Sequence, residues 1–145
     1  MINDEIKKLL EDCHLDHIAI AVENMQESKA FYELLGLKFV HDEEVSEQKV
    51  MTSFAYVDGK SKIELLESTD PDGPIGKYIS KKGAGLHHLC FRVQDIEKKQ
   101  KELTDKGIRF LYEQPKHGAG DCMINFIHPK STGGVLIELS EKNKK

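Results

Sequence analysis

Residues 15–22 (LDHIAIAV) carry branched and apolar side chains in a strand-like pattern, and helical spacing follows from Asn24 through Ser28, Ala30, Phe31, Leu34 and Leu35 to Gly36. Asn24 suits an N-cap and Gly36 a helix stop. The same order returns later. Residues 86–93 (LHHLCFRV) repeat the strand, Asp95 the cap, Ile96, Lys99 and Leu103 the helix, and Gly107 the stop. Three strand-like stretches follow each glycine, at 37–43, 49–58 and 61–67 and again at 108–113, 121–127 and 134–140. Each half therefore reads as βαβββ. Pro74, Gly76, Ile75, Tyr78 and Ile79 predict a short helix in the linker at 71–85, which Gly83-Ala84-Gly85 closes. The pattern predicts a lead-in over 1–14, with Ile6, Leu9 and Leu10 at helical spacing. A single domain at 15–145 then comprises two modules, about 15–70 and 86–140.

Composition narrows the classes. The chain has 145 residues, 32% of them charged, with a formal net charge of −4. That balance leaves no basic stripe for a nucleic-acid partner. The apolar runs are strand-sized and the first eight residues mix acids with lysines, so neither a membrane span nor a secretory signal is expected and the expected location is cytoplasmic. Cys13, Cys90 and Cys122 lack the close spacing of metal or redox motifs, and Cys90 reads as a small core residue.

Against this background four residues stand out. His17 and His88 occupy matching places in the repeated strand, 71 positions apart, and Glu64 and Glu138 lie 74 apart in the last strand of each half. Taken singly, each is better explained as a solvated acid or a structural histidine. The nearly equal offsets join them. Modules related by a pseudo-twofold axis would bring two imidazoles and two carboxylates to one interior, a nitrogen and oxygen set suited to a divalent transition metal. Two octahedral positions would stay open for a chelating substrate. His87 points to the opposite side of its strand from His88, so the register selects His88 as the partner of His17 and leaves His87 as a neighbouring wall residue.

These residues, with AGLHHLCFRV, PIGKYI and above all INFIHPKSTGGVLIEL at 124–139, resemble the vicinal-oxygen-chelate superfamily and, within it, the methylmalonyl-CoA epimerase family. The resemblance covers residues from the strand of His17 to that of Glu138. It implies an α+β fold of paired βαβββ modules forming a curved mixed sheet around a central metal site. The implied ligands are His17, Glu64, His88 and Glu138. The implied cofactor is a divalent ion, Co2+ first, with Mn2+, Ni2+ or Zn2+ also suited to these donors. The implied substrate is a 2-methylmalonyl thioester of coenzyme A, epimerised at C2, and the implied assembly is a homodimer. Epimerisation requires proton transfer on both faces of C2. Glu138 is the first expected proton-transfer group. A second glutamate of some relatives falls on Thr52, which is no carboxylate, so Glu64 is expected as the partner, ahead of Glu47. Lys116 and Lys130 are the expected cations for the anionic substrate, His128 is expected to shape its turn, and His117 to be exposed. Two other activities fit the fold: a glyoxalase-type lyase acting on a glutathione hemithioacetal, and a metal-free small-molecule binding protein. A ring-cleaving iron dioxygenase fits less well, given Glu64 and the short chain.

Overall fold

The computed structural model describes residues 4, 5 and 12–143. The expected amphipathic spacing of Ile6, Leu9 and Leu10 lies outside them. The elements are β1 (Cys13–Val22), α1 (Met25–Leu34), β2 (Phe39–Val45), β3 (Val50–Tyr56), β4 (Lys62–Ser68), α2 (Pro74–Lys82), β5 (Gly85–Val93), α3 (Ile96–Asp105), β6 (Lys116–Gly118), β7 (Cys122–Ile127) and β8 (Ile137–Lys142). Among the described residues no helix is long and apolar enough to cross a membrane. The chain divides into two compact units, His17–His87, and Met1–Asp16 with His88–Lys145. Each is a four-stranded mixed sheet with a helix after its first strand, the paired βαβββ arrangement of the α+β class.

In the unit His17–His87 the strands run β2-β3-β4-β1, with β1 parallel to β4 and the other pairs antiparallel. One face packs on α1: Val22, Met25 and Leu65 are buried, with Ile20, Tyr32, Phe39, Met51 and Ile63 against them. On the other face Ala19, Ala21, Val50 and Leu66 are covered by Ile75, Tyr78 and Ile79, in and around the predicted linker helix, now α2. The second unit follows the same plan with β5-β8-β7-β6 and β5 parallel to β8. Its helix face buries Val93, Ile96, Ile127 and Leu139, and the opposite face buries Cys122, Ile124 and Phe126.

Helix boundaries follow the predicted signals. Asn24 Oδ1 accepts from Glu27 N at 3.0 Å, and Asp95 Oδ1 from Lys98 N at 3.1 Å. Gly36 and Gly107, just past the helix ends, take φ of 98° and 90°, which favours glycine there. A second tie was not anticipated. Glu67 on β4 accepts from the Met25 amide at 2.6 Å, and Glu141 on β8 accepts from the Ile96 amide at 3.0 Å. An anionic side chain thus sits on the positive end of each helix and fixes it to the strand opposite.

The predicted strand at 108–113 is not one. Phe110 makes an isolated bridge to Ile127, and the edge strand beside β7 forms later, at Lys116–Gly118. Among the described residues, backbone bonds reach only from His128 N to Arg109 O at 2.7 Å and from Leu111 N to Phe126 O at 2.8 Å, and at Tyr112 a side chain takes over. Asn125 Oδ1 accepts from Tyr112 N at 3.2 Å and Asn125 Nδ2 donates to Tyr112 O at 2.9 Å, supplying the bonds a partner strand would have made.

Replacing Glu67 by alanine should lower unfolding stability by about 1 kcal/mol, the scale of a lost helix cap. Denaturant unfolding alongside the exposed control Glu23→Ala measures it. Equal effects from the two would remove Glu67 from any capping role.

Candidate metal centre

Each unit presents a buried histidine beside a glutamate, and the strand register explains why. In the first unit Ala19 pairs with Glu64, so Glu64 shares a sheet face with Ala19 and with His17, two residues earlier. In the second unit Cys90 pairs with Glu138, and His88 stands two residues before Cys90. The two registers are the same. His17 Nε2 lies 3.6 Å from Glu64 Oε1, and His88 Nε2 lies 3.3 Å from Glu138 Oε1. The side chains are 8% and 12% exposed in the first pair and 5% and 10% in the second, so water does little to screen them.

A phenylalanine flanks each glutamate on the next strand, Phe54 opposite Glu64 and Phe126 opposite Glu138. In the second unit the rings continue outward. His88 meets Phe126 edge-on with centroids 5.4 Å apart, Phe126 meets Tyr112 at 6.3 Å, and Lys116 Nζ lies 4.2 Å from the Tyr112 centroid. Burial first, and then the negative charge of Glu138, push the Tyr112 phenol above its ordinary pKa. It therefore stays protonated and neutral across the physiological range.

The remaining expected residues divide. His87 turns to Tyr78, with ring centroids 4.6 Å apart, while its neighbour His88 faces Glu138. Thr52 is buried and its hydroxyl donates to the Glu43 carbonyl at 3.1 Å. Glu47 is exposed on a 3-10 turn (Ser46–Gln48). Lys116 and Lys130 are both exposed, as is His117. His128 does shape its turn: Nδ1 accepts from Lys130 N at 3.0 Å.

Three features were missed by sequence reasoning. Asp16 is buried and its Oδ1 accepts from Arg92 Nη2 at 3.0 Å, an ion pair joining residues far apart in the chain. A charged residue within each of two apolar strands was the available signal. Glu43 shares the sheet face of Thr52 and lies 3.1 Å from His41 Nε2, which strand alternation from Thr52 alone could not reveal. Asn125 is wholly buried. Its amide donates to Gln100 Oε1 at 2.8 Å and to Tyr112 O, and its oxygen accepts from the Phe126 and Tyr112 amides.

Residues 16–126 match the family model described as Glyoxalase/Bleomycin resistance protein/Dioxygenase superfamily. The chain is 41% identical over 128 residues to the uncharacterized protein YqjC of Bacillus subtilis, covering 88% of this chain and 91% of that protein. It is 38% identical over 129 residues to the mitochondrial methylmalonyl-CoA epimerase of Homo sapiens, covering 88% and 73%. Among solved structures it is similar to a variant of Streptomyces coelicolor methylmalonyl-CoA epimerase in complex with 2-nitronate-propionyl-CoA, with TM-score 0.84, 35% identity and coverage of 90% and 97%.

Asn125→Ala would leave the Tyr112 and Phe126 backbone groups without these partners. A loss of about 2–3 kcal/mol is expected in urea unfolding. A loss below about 0.5 kcal/mol would show that the 110–115 segment is held by other means.

Proposed function

The chain belongs to the Glyoxalase/Bleomycin resistance protein/Dioxygenase superfamily, and from that premise we propose that it is a methylmalonyl-CoA epimerase. The observation that carries the proposal is the same pairing of a buried histidine with a glutamate, in the same register, in each unit. The likeness to methylmalonyl-CoA epimerases supports the choice of substrate over a glutathione hemithioacetal.

The donors fit a divalent ion. Two imidazoles and two carboxylates offset its charge with ligands of borderline hardness. The separations of 3.6 and 3.3 Å within the pairs are close to the roughly 3 Å between adjacent ligands that each lie about 2.1 Å from one ion. His17, Glu64, His88 and Glu138 are the proposed ligands, and Co2+ the proposed ion, with Mn2+, Ni2+ or Zn2+ accepted by the same set. When bound, such an ion supplies Lewis-acid stabilisation of the charge that develops on the thioester oxygen as C2 loses its proton.

The chain's own residues do the proton transfer. Glu138 exchanges the C2 proton on one face and Glu64 on the other, so that removal by one carboxylate and return by its partner inverts the centre. Phe54 and Phe126 keep the space beside each carboxylate apolar. Thr52, with its hydroxyl committed to the Glu43 carbonyl, takes no proton. Lys116 and Lys130 supply positive charge for an anionic coenzyme A thioester. The protein is expected to work as a cytoplasmic homodimer.

Metal-loaded protein in deuterated buffer should exchange the C2 hydrogen of methylmalonyl-CoA and interconvert its epimers, followed by mass spectrometry and chiral coupling assay. His88→Ala should reduce kcat/KM by more than the roughly 10- to 100-fold that loss of a ligand's supporting partner costs. Turnover of a glutathione hemithioacetal, with no exchange on the coenzyme A ester, would replace this reading by a glyoxalase-type lyase.

A further inference from the structure

The proton-transfer scheme makes no use of the Tyr112 hydroxyl, which lies on the ligand-bearing face of its unit. Tyr112 lies in the irregular segment before β6, and its phenolic oxygen makes no hydrogen bond to protein among the described residues. The residue is nevertheless held in place with care. Asn125 grips both its amide and its carbonyl, and Gln100 on α3 holds Asn125 at 2.8 Å and the Glu113 carbonyl at 2.9 Å. A wholly buried asparagine with every donor and acceptor engaged is a rigid anchor, since any displacement breaks several bonds at once.

The anchor fixes the Tyr112 backbone, and the ring contacts are made by Phe126 and Lys116. Tyr112 packs on Phe126, which pairs directly with Glu138, and Lys116 and Ile124 are paired on the same sheet face. The Lys116 ammonium, 4.2 Å from the ring centroid, adds positive charge beside the phenol. A neutral donor backed by a cation and set beside a carboxylate suits an anionic acceptor that must come close to Glu138 without itself carrying a proton.

We propose that the Tyr112 hydroxyl donates a hydrogen bond to the free carboxylate of the bound acyl group, making Tyr112 a residue that adds to the preference for malonyl-type thioesters over simple acyl thioesters of coenzyme A. The proposal rests on the epimerase reading. A malonyl carboxylate has two oxygens, and chelation to a metal engages one. The other would be buried beside Phe126 and needs a donor, because an unpaired buried charge is costly. A plain propionyl group offers no such oxygen, so the hydroxyl gains nothing from it.

The test compares the parent holoenzyme with Tyr112→Phe, which keeps the ring, its packing and the lysine contact. Calorimetric affinity for methylmalonyl-CoA should fall about 10- to 100-fold, the worth of a hydrogen bond to a charged group. Affinity for propionyl-CoA and metal content should be unchanged, and the loss in kcat/KM should appear mainly in KM. The chain has no tryptophan and four tyrosines, so tyrosine difference absorption is readable. Methylmalonyl-CoA should perturb it in the parent, with the main component absent in the variant. Unchanged affinity for methylmalonyl-CoA, or an equal loss for both thioesters, would overturn the assignment while leaving the epimerase reading intact. A parent enzyme that neither binds nor epimerises methylmalonyl-CoA would overturn both.

Discussion

The register of one parallel strand pair in each unit is the constraint on which the chemistry depends. Ala19 opposite Glu64 and Cys90 opposite Glu138 put each glutamate on the sheet face of the histidine two residues earlier. Side chains alternate with period two, so a slip of one residue would send the glutamate to the helix side and leave the histidine without it. Parallel strands cannot be joined by a tight turn. The connection from β1 to β4 runs through α1, β2 and β3, and that from β5 to β8 through α3, β6 and β7, so the intervening elements must hold the register.

Both strands that carry a ligand-type glutamate also carry the lock. Glu67 lies three residues beyond Glu64, and Glu141 three beyond Glu138, which places each on the opposite sheet face. There they accept from the first amides of α1 and α3. One strand thus presents a carboxylate to the site on one face and ties down a helix N-terminus on the other. Sliding the strand to disturb the His–Glu pair would also uncap the helix. Leu65 and Leu139, packed against the helix faces, resist the same slide through apolar burial.

What was legible in the sequence follows from these physics. Periodicity and capping residues revealed both helices that follow a first strand, and the nearly equal offsets of His17/His88 and Glu64/Glu138 pointed to the repeated histidine–glutamate proximity. Where reading failed, a side chain had taken over a backbone role. Phe110 and Tyr112 alternate as a strand would, but the Asn125 amide group satisfies the backbone there, and a single asparagine in a strand-like run gives no hint of that. The Asp16–Arg92 pair was hidden for a related reason: each charge stands out within an apolar strand, but its partner is distant in sequence. Local pattern carries local structure, whereas long-range polar pairing needs the fold.

Within each unit the ligand-bearing face combines parts that both units share with parts that differ. The shared parts are the histidine, the glutamate and the phenylalanine beside it. The outer parts differ: in one unit Lys62 lies 5.2 Å from Phe54 and 5.6 Å from Tyr56, with Glu43 and His41 on the same sheet face, and in the other Tyr112 and Lys116 extend the ring series from Phe126. Epimerisation asks for this combination. In the proposed epimerisation the proton would be removed and returned by equivalent groups, which two copies of one module can supply. The substituents on C2 are not equivalent, since one ends in a free carboxylate and the other continues as a thioester. Residues that recognise them have no reason to be duplicated, and selection on a substrate with unlike arms would keep the proton-transfer groups alike while driving their surroundings apart.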